Sequence, residues 1–256
     1  MARRPRAVGH EDRLTLVEHL DELRSRIIVS LVAFGAAFGL CFWQDSLMLD
    51  IANWPLPEGT VPVTLSPTEP FFTTLEVSAY GALVLSLPVI LYQLYAFVIP
   101  AFSPHEKRVV FPYLLAMPLL FLAGIAFAYF IVMPAAINFL LHFNEADFAI
   151  QVRAREYYGF LGILVVVLGL LFQMPIGLIS ITRLGVVSAD QLASGWRYAV
   201  FIISIVSAAL PGGDPVSMIL IMIPLVALYF VSVWLARRLG EPRELPPAEP
   251  AAEGSG

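Results

Sequence analysis

Few residues in this 256-residue chain have the types and spacing that catalysis or metal binding needs. The four histidines, His10, His19, His105 and His142, have no partner at metal-ligand spacing. The single cysteine, Cys41, excludes an intrachain disulfide and a multi-cysteine metal site. No glycine-rich phosphate loop and no nucleophile–base pair are present. The sequence therefore predicts a chain that is not an enzyme and that has no metal site and no cofactor.

Two carboxylates lie beside basic residues in segments that could bind a cationic ligand. Glu22 belongs to the segment EHLDELR (18–24), and Glu106 belongs to FVIPAFSPHEKR (97–108). The S-x-x-E pattern that ends at Glu106 also fits a helix capping box with proline at the first helical position. Capping and ligand recognition are therefore both open for Glu106. Phe97 fits an aromatic residue at a membrane interface.

Two further polar residues are candidates for function. Gln173 lies near the centre of the long apolar run 157–182. A buried amide needs hydrogen-bond partners, so it either joins helices or contacts a substrate or partner helix. Asp214 follows Pro-Gly-Gly (211–213) near the end of the last apolar hairpin. It either ends a helix or serves as a functional residue at the outer side.

The composition restricts the elements that can position these residues. Hydrophobic residues make up 59% of the chain and charged residues 14%, with a mean hydropathy of +0.80. A soluble domain has about 45–50% apolar and about 25% charged residues. The net charge of −5 provides no basic stripe for nucleic acid. The sequence therefore predicts an integral membrane protein that contacts the lipid bilayer and binds no nucleic acid.

Charged residues and histidines divide the chain into six long uncharged runs of 16 to 33 residues. About 20 apolar residues cross a bilayer as a helix, and continuous runs exclude the alternation of a β-barrel. The third span is expected to end near Pro134, and the fifth is unusually short. The fold class is thus all-α with six transmembrane helices, near residues 27–44, 71–99, 108–134, 157–181, 196–210 and 215–236.

The flanking segments have distinct patterns. Residues 1–12 form a basic N-terminus, and 13–26 form an amphipathic helix that leads into the first span. The proline-rich segment 45–76 predicts an ordered cap with short helices, and Ser66-Pro-Thr-Glu69 has the capping-box pattern. The membrane domain then covers residues 13–238. The polar tail, 239–256, is expected to be disordered.

The basic residues predict the orientation. If the N-terminus is cytoplasmic, 13 of the 15 basic residues lie on the cytoplasmic side, and only Arg153 and Arg155 lie outside. The positive-inside rule then places both termini in the cytoplasm. Prolines inside the spans free backbone carbonyls and kink the helices, which favours a curved, concave bundle. These prolines are Pro88, Pro118, Pro175 and Pro224.

The order of these segments resembles the TatC family, the multi-spanning receptor subunit of the twin-arginine protein translocase. The resemblance covers roughly residues 12–238. The segments that carry it are HLDELR (19–24), SPTEPFF (66–72), PVILYQLYAFVIP (88–100), HEKR (105–108), FAYF (127–130), FQMP (172–175) and PGGD (211–214).

The resemblance implies a receptor for export signal peptides that carry paired arginines on folded cargo. It implies recognition by Glu22 and Glu106, with Phe97 nearby. A planar guanidinium binds a carboxylate through two nitrogens, which lysine cannot do. Many family members carry Glu where this chain has Gln173, so a hydrogen bond to a partner helix, not proton transfer, is expected there.

The resemblance also implies partners and a location. The expected partners are single-span proteins of the TatA and TatB type and further copies of the chain in a receptor complex. The expected energy source is the protonmotive force. The expected location is the bacterial cytoplasmic (inner) membrane.

Two other functions remain open on the residues alone. A small secondary transporter could use Gln173 and kinked helices as a midplane substrate site. An intramembrane enzyme would need a Ser–Lys, Ser–His or metal pair within the spans, and the spans are expected to contain no Lys, His, Asp or Glu.

Overall fold

The computed structural model describes the backbone of residues 10–98, 104–210 and 214–239, and the side chains of residues 20–97, 116–210 and 214–238. Predictions about 1–9 and about the tail beyond 239 therefore lie outside the described residues. The helices, in chain order, are α1 (His10–Trp43), α2 (Asp45–Asn53), α3 (Glu69–Val98), α4 (Pro104–Phe127), α5 (Met133–His142), α6 (Ala154–Leu171), α7 (Met174–Arg183), α8 (Ala189–Ser194), α9 (Trp196–Ala209) and α10 (Pro215–Leu239).

Five stretches of the described chain are long and apolar enough to cross a membrane, and α9 adds a shorter apolar helix. With 14 residues, α9 is about 21 Å long, as short as its sequence predicts. The predicted all-α membrane fold is confirmed, and the count of six spans is consistent with it. The five stretches are Leu20–Trp43, Glu69–Phe97, Ala116–His142, Ala154–Arg183 and Pro215–Arg238.

The predicted amphipathic segment and the first span form one continuous helix, α1. This helix packs mainly along α3, and most of its apolar side chains within the described part, from Leu20 to Trp43, are exposed to the surroundings of the protein. Such exposure would be costly in water but matches the hydrocarbon of a bilayer. The long apolar stretch is therefore a lipid-facing span that one neighbour supports.

The third span differs from the prediction, because the helix does not end at Pro134. A π-helical turn, Ala128–Val132, joins α4 to α5, which continues to His142. Proline normally clashes with the carbonyl four residues earlier. In the π-helical turn, the Met133 N–H instead bonds to the Ala128 carbonyl, five residues earlier. The wider turn accommodates the Pro134 ring, and the span continues for two more turns.

The fourth span consists of two helices. α6 ends at Leu171, and α7 begins at Met174 with Pro175 in its first turn. Pro175 has no N–H to donate to the Leu171 carbonyl, so the α-helical hydrogen bonding is interrupted there. The break places Gln173 at the N-terminus of α7, in the middle of the span.

The segment between α1 and α3 is ordered, as predicted, with α2 as its helix. Tyrosines from the neighbouring helices bind the carboxyl end of α2, where backbone carbonyls lack helical partners. The hydroxyl of Tyr157 donates to the Ala52 carbonyl at 2.7 Å, and that of Tyr158 donates to the Asn53 side chain at 2.7 Å. Tyr129 donates to the Ile51 carbonyl. Three hydroxyls therefore hold α2 against α6 and the π-helical turn.

α6 lies at the centre of the helix packing, between α3 and α4. Its Leu164 and Leu168 are completely buried. Glycines allow the neighbouring backbones to approach. A Cβ on Gly124 of α4 would lie 2.7 Å from the Leu168 carbonyl oxygen, and one on Gly162 would lie 2.1 Å from the Tyr80 ring. These contacts fix where α3 and α4 cross α6.

Candidate functional site

The Glu22 carboxylate already binds a guanidinium. Its Oε1 accepts hydrogen bonds from Arg26 Nε at 3.1 Å and from Arg26 Nη2. Arg26 also donates from Nη1 to the Gln93 side chain on α3, at 3.1 Å. The Arg26 side chain is 22% exposed. The pair is therefore more than a surface pair on one helix, because it links α1 to α3.

Phe97 lies one helical turn beyond Gln93 and lines the same groove between α1 and α3. The groove has a volume of about 470 Å³. Arg26 and Gln93 form its polar part, and the remaining lining is mostly apolar. The structure thus brings Phe97 close to the bridge that holds Glu22. The apolar lining includes Leu23, Ile27, Leu31, Phe34, Leu83, Ile90 and Leu94.

The second predicted carboxylate, Glu106, lies in the first turn of α4. This helix begins at Pro104, in agreement with the S-x-x-E pattern. The Glu106 side chain lies outside the described residues. Its roles in capping and in recognition both remain predictions.

Gln173 joins two spans by a hydrogen bond. Its Nε2 donates to the Met117 carbonyl of α4 at 3.2 Å. Its Oε1 is buried and has no hydrogen-bond partner within the described part of the chain. The interhelical contact expected from the sequence is therefore present. The amide also retains an acceptor that could receive a donor from outside the chain.

Asp214 begins a helix instead of ending one. Its Oδ1 accepts a hydrogen bond from the Ser217 N–H at 2.8 Å, the geometry of an N-cap, and Pro215 follows as the first residue of α10. The residue is only 5% exposed, and Oδ2 has no hydrogen-bond partner among the residues that the structure describes. Asp214 therefore has at least the structural role of starting α10.

A cluster of charged residues, Glu69, Arg153 and Glu156, lies at the opposite end of the molecule from Glu22. The sequence did not predict it. The Glu69 carboxylate accepts hydrogen bonds from Arg153 Nε at 3.0 Å and from the Leu65 N–H at 2.9 Å. The expected capping box is thus shifted, because Glu69 binds Leu65 and not Ser66. Arg153 also binds Glu156 at 3.1 Å. The hydrogen bond from Arg153 to Glu69 raises the pKa of the Arg153 guanidinium.

The backbone strengthens this connection. The Val63 N–H bonds to the Val152 carbonyl, and the Ala154 N–H bonds to the Val63 carbonyl, both at 2.8 Å. The segment before α3 and the start of α6 are therefore held together by backbone and side chain. The sequence contained one indication of this ion pair. On the predicted orientation, Arg153 and Arg155 are the only basic residues on the outer side of the membrane, and such a residue usually has an acidic partner.

The second span contains acidic residues, so the expectation that the spans contain no Asp or Glu is wrong for this helix. α3 begins at Glu69, so Glu76 lies two turns inside the helix. Glu76 is half-buried, and its Oε1 accepts a long hydrogen bond, 3.4 Å, from the Tyr80 hydroxyl.

Within the described residues, no group of three His, Cys, Asp or Glu side chains could hold a metal ion.

Comparison with known proteins assigns the family. The family model described as Sec-independent protein translocase protein (TatC) matches residues 18–224. The chain belongs to the TatC family. Its role is therefore that of the TatC receptor component in twin-arginine translocation, which replaces the two alternatives that the residues alone leave open.

Individual relatives agree with this assignment. The chain is 39% identical over 230 residues to the TatC of Aquifex aeolicus, covering 88% of this chain and 95% of that protein. It is also 39% identical to the chloroplastic TATC of Arabidopsis thaliana, covering 89% of this chain and 67% of that longer protein. The family is a protein-transport component.

Solved structures show the same architecture. A crystal structure of the twin-arginine translocase receptor TatC has a TM-score of 0.73 and 37% identity, covering 86% of this chain and 98% of the other. A second, of the receptor in DDM, has a TM-score of 0.77 and 38% identity, covering 85% and 99%.

Proposed function

We propose that this chain binds the paired arginines of export signal peptides at its cytoplasmic face, through Glu22 and Glu106, with Phe97 beside them. The observation that supports this most directly is the binding of Arg26 to Glu22 through two nitrogens. The Glu22 carboxylate thus already binds one guanidinium, with both nitrogens on Oε1, which supports an arginine as its ligand. An incoming arginine replaces Arg26 at Glu22, and Arg26 keeps its hydrogen bond to Gln93.

Arginine specificity follows from the shape of the two cations. A guanidinium presents several N–H donors in one plane and binds a carboxylate bidentately, whereas an ammonium is a compact and strongly hydrated point charge. The Glu22 side chain is 33% exposed, so the pair is partly desolvated. Partial desolvation strengthens the charged hydrogen bonds and increases the difference between the two cations.

The groove between α1 and α3 supports binding of the apolar part of a signal peptide. It continues from Arg26 along Ile27, Leu31 and Phe34, deeper into the span. A peptide whose arginines bind Glu22 can thus place its following apolar residues against an apolar wall. Phe97 lies at the polar end of this groove, where it contacts both parts of the peptide.

We further propose the orientation and the partners. The basic residues favour cytoplasmic termini in a bacterial cytoplasmic membrane, by the positive-inside rule. Folded cargo is exported with single-span partners of the TatA and TatB type, driven by the protonmotive force, within a receptor complex that contains further copies of the chain. The buried Oε1 of Gln173 supports a contact with a hydroxyl or amide donor on a partner helix.

Peptide binding tests the proposal. The purified chain in nanodiscs is titrated with a labelled Arg-Arg signal peptide and with its Lys-Lys counterpart. We expect binding of the Arg-Arg peptide only, and at least about tenfold weaker binding in Glu22→Gln and in Glu106→Gln, because each loses a charge-assisted pair worth about 1.5–3 kcal/mol. Glu58→Gln, an exposed carboxylate in the segment between α2 and α3, is the matched control.

Two outcomes would contradict the proposal. Equal binding of both peptides would show that the site does not select a guanidinium. Selective binding that remains unchanged in Glu22→Gln and Glu106→Gln would place recognition elsewhere in the chain. Thermal unfolding and size-exclusion chromatography of each variant exclude misfolding as the cause.

A further inference from the structure

A cavity of about 720 Å³, with four charged side chains in its lining, opens between the first turns of α3 and the start of α6. We propose that this cavity binds the headgroup of one phospholipid, of the class that carries a phosphate and a primary ammonium, as in phosphatidylethanolamine. The cavity lies at the end of the molecule opposite Glu22, and it is distinct from the groove between α1 and α3. The proposal does not depend on signal-peptide binding.

One wall of the cavity consists of charged side chains that already form ion pairs with one another. Glu69 and Arg153 pair across the two helices at 3.0 Å, and Arg153 also binds Glu156. The Glu69 side chain is 4% exposed. This pair, together with the backbone bridge at Val63, keeps the starts of α3 and α6 at a fixed separation. The cavity is therefore part of the fold and not a gap between independent segments.

The same cavity contains one cation and one anion that do not pair. Arg155 is exposed and forms no ion pair within 4.0 Å with any residue that the structure describes. Glu76 lines the cavity, and its described contact is the long hydrogen bond from Tyr80. Glu76 also faces Gly159, which has no side chain to cover it. A positive and a negative group thus face one space from two different helices.

Two further features favour a phosphate near Arg155. Both α3 and α6 begin at the cavity, and the positive ends of helix dipoles stabilise anions. Thr73 also lines the cavity and is 4% exposed, and its Oγ1 has no hydrogen-bond partner among the described residues. A buried hydroxyl without a hydrogen-bond partner is unusual, and a phosphate oxygen would accept a hydrogen bond from it.

The remaining lining suits an acyl chain. Phe72 is 61% exposed and Leu75 is 37% exposed, and both line the cavity together with Ala79. These residues lie in the first turns of the span that begins at Glu69, at the depth where headgroups meet hydrocarbon. The polar and apolar parts of the cavity therefore follow the polar and apolar parts of a phospholipid.

The two unpaired charges select the headgroup. The phosphate of any phospholipid pairs with Arg155. Glu76, in contrast, distinguishes the headgroup that is attached to this phosphate. A primary ammonium donates hydrogen bonds to Glu76, a trimethylated ammonium cannot donate, and a glycerol headgroup leaves the carboxylate without a counter-ion. The expected order of affinity is thus phosphatidylethanolamine, then phosphatidylcholine, then phosphatidylglycerol.

Native mass spectrometry of the delipidated protein in detergent tests the proposal. The three lipids, with identical acyl chains, are added in equal amounts, and the retained lipid is identified. We expect phosphatidylethanolamine to be preferred by about fivefold over phosphatidylcholine. Glu76→Gln should remove this preference and raise the retention of phosphatidylglycerol. Arg155→Gln should lower the retention of all three lipids, and Arg155→Lys should restore most of it.

Controls separate this site from general lipid contact. Asp190→Asn and Arg237→Gln alter an exposed ion pair at the other end of the molecule, and neither should change the lipid preference. Equal retention of the three lipids, unchanged in Glu76→Gln and Arg155→Gln, would overturn the proposal. Competition by millimolar inorganic phosphate would also overturn it, because the ligand would then be a free anion. Melting temperatures of all variants confirm that they are folded.

Discussion

At the residue scale, the ion pair between Glu69 and Arg153 has the clearest structural role. Glu69 comes from the start of α3 and Arg153 from the residue before α6, so the pair joins segments that are far apart in the chain. Glu69 is nearly completely buried, and a buried carboxylate is stable only with partners. Glu22 differs, because its side chain is 33% exposed and pairs with Arg26 on the same helix.

We predict that Arg153→Ala lowers the melting temperature, because it leaves the buried Glu69 carboxylate without its cation. Glu69→Gln should also lower it, and the double variant should lose less than the two losses together, because both single variants break one interaction. Thermal unfolding in detergent measures the effect. Arg237→Ala, from an exposed pair with Asp190, should leave the melting temperature nearly unchanged. Strictly additive losses would contradict the coupling.

At the element scale, helix crossings depend on residues that have no side chain. Gly162 of α6 lies against the ring of Tyr80 on α3, and Gly124 of α4 lies against the backbone of α6. Apolar side chains gain little by leaving lipid for a helix interface, so close van der Waals contact between backbones contributes much of the stability. The π-helical turn at Ala128–Val132 is a second adaptation, because it lets the third span pass Pro134.

We predict that Gly162→Ala destabilises the protein by about 1–3 kcal/mol, because the new methyl group overlaps the Tyr80 ring and forces α3 and α6 apart. Gly177→Ala in α7 is the matched control, since a methyl group added there would meet no other group within 4 Å. The control should be neutral or stabilising by up to about 1 kcal/mol, because alanine favours a helix. Denaturant or thermal unfolding distinguishes them, and equal stabilities would contradict the close-packing explanation.

At the scale of the whole molecule, the two ends have different chemistry. Glu22, Arg26 and Phe97 lie at one end, and the cavity between α3 and α6 lies at the other. The positive-inside rule favours the cytoplasm for the first end, which is the orientation proposed above. On the proposed orientation, signal peptides bind at the cytoplasmic end, and the phospholipid headgroup belongs to the outer leaflet.

Labelling of single cysteines in intact cells tests the orientation. Glu58→Cys, between α2 and α3, should react with a membrane-impermeant maleimide from outside. Val186→Cys, between α7 and α8 and 69% exposed, should react only after the membrane is permeabilised. Both variants are made on a Cys41→Ser background, so that each carries one cysteine; Cys41 itself is only 1% exposed. Labelling of Val186→Cys from outside, without labelling of Glu58→Cys, would reverse the proposed orientation.

Several features were predictable from local sequence because their causes are local. Apolar runs must be helical in a bilayer, where every backbone polar group needs an internal partner, so the class of the spans follows from the runs, and the count of six is consistent with the structure. The short α9, the ordered segment before α3 and the interhelical contact of Gln173 also agree with the predictions. The predicted end of the third span, near Pro134, was wrong. The π-helical turn accommodates this proline, and no residue pattern indicates such a turn.

The sequence alone determined the membrane location of the helices, the asymmetry of basic residues and the family, because hydropathy, charge and motifs are properties of consecutive residues. Only the tertiary structure decided which residues meet. Glu69 and Arg153 are 84 positions apart, and Tyr157 reaches Ala52 across 105 positions. Such pairs depend on how the helices cross, and crossing depends on glycine contacts and broken turns distributed over the whole bundle. The link from Glu22 through Arg26 to Gln93, and the cavity between α3 and α6, therefore became visible only in three dimensions.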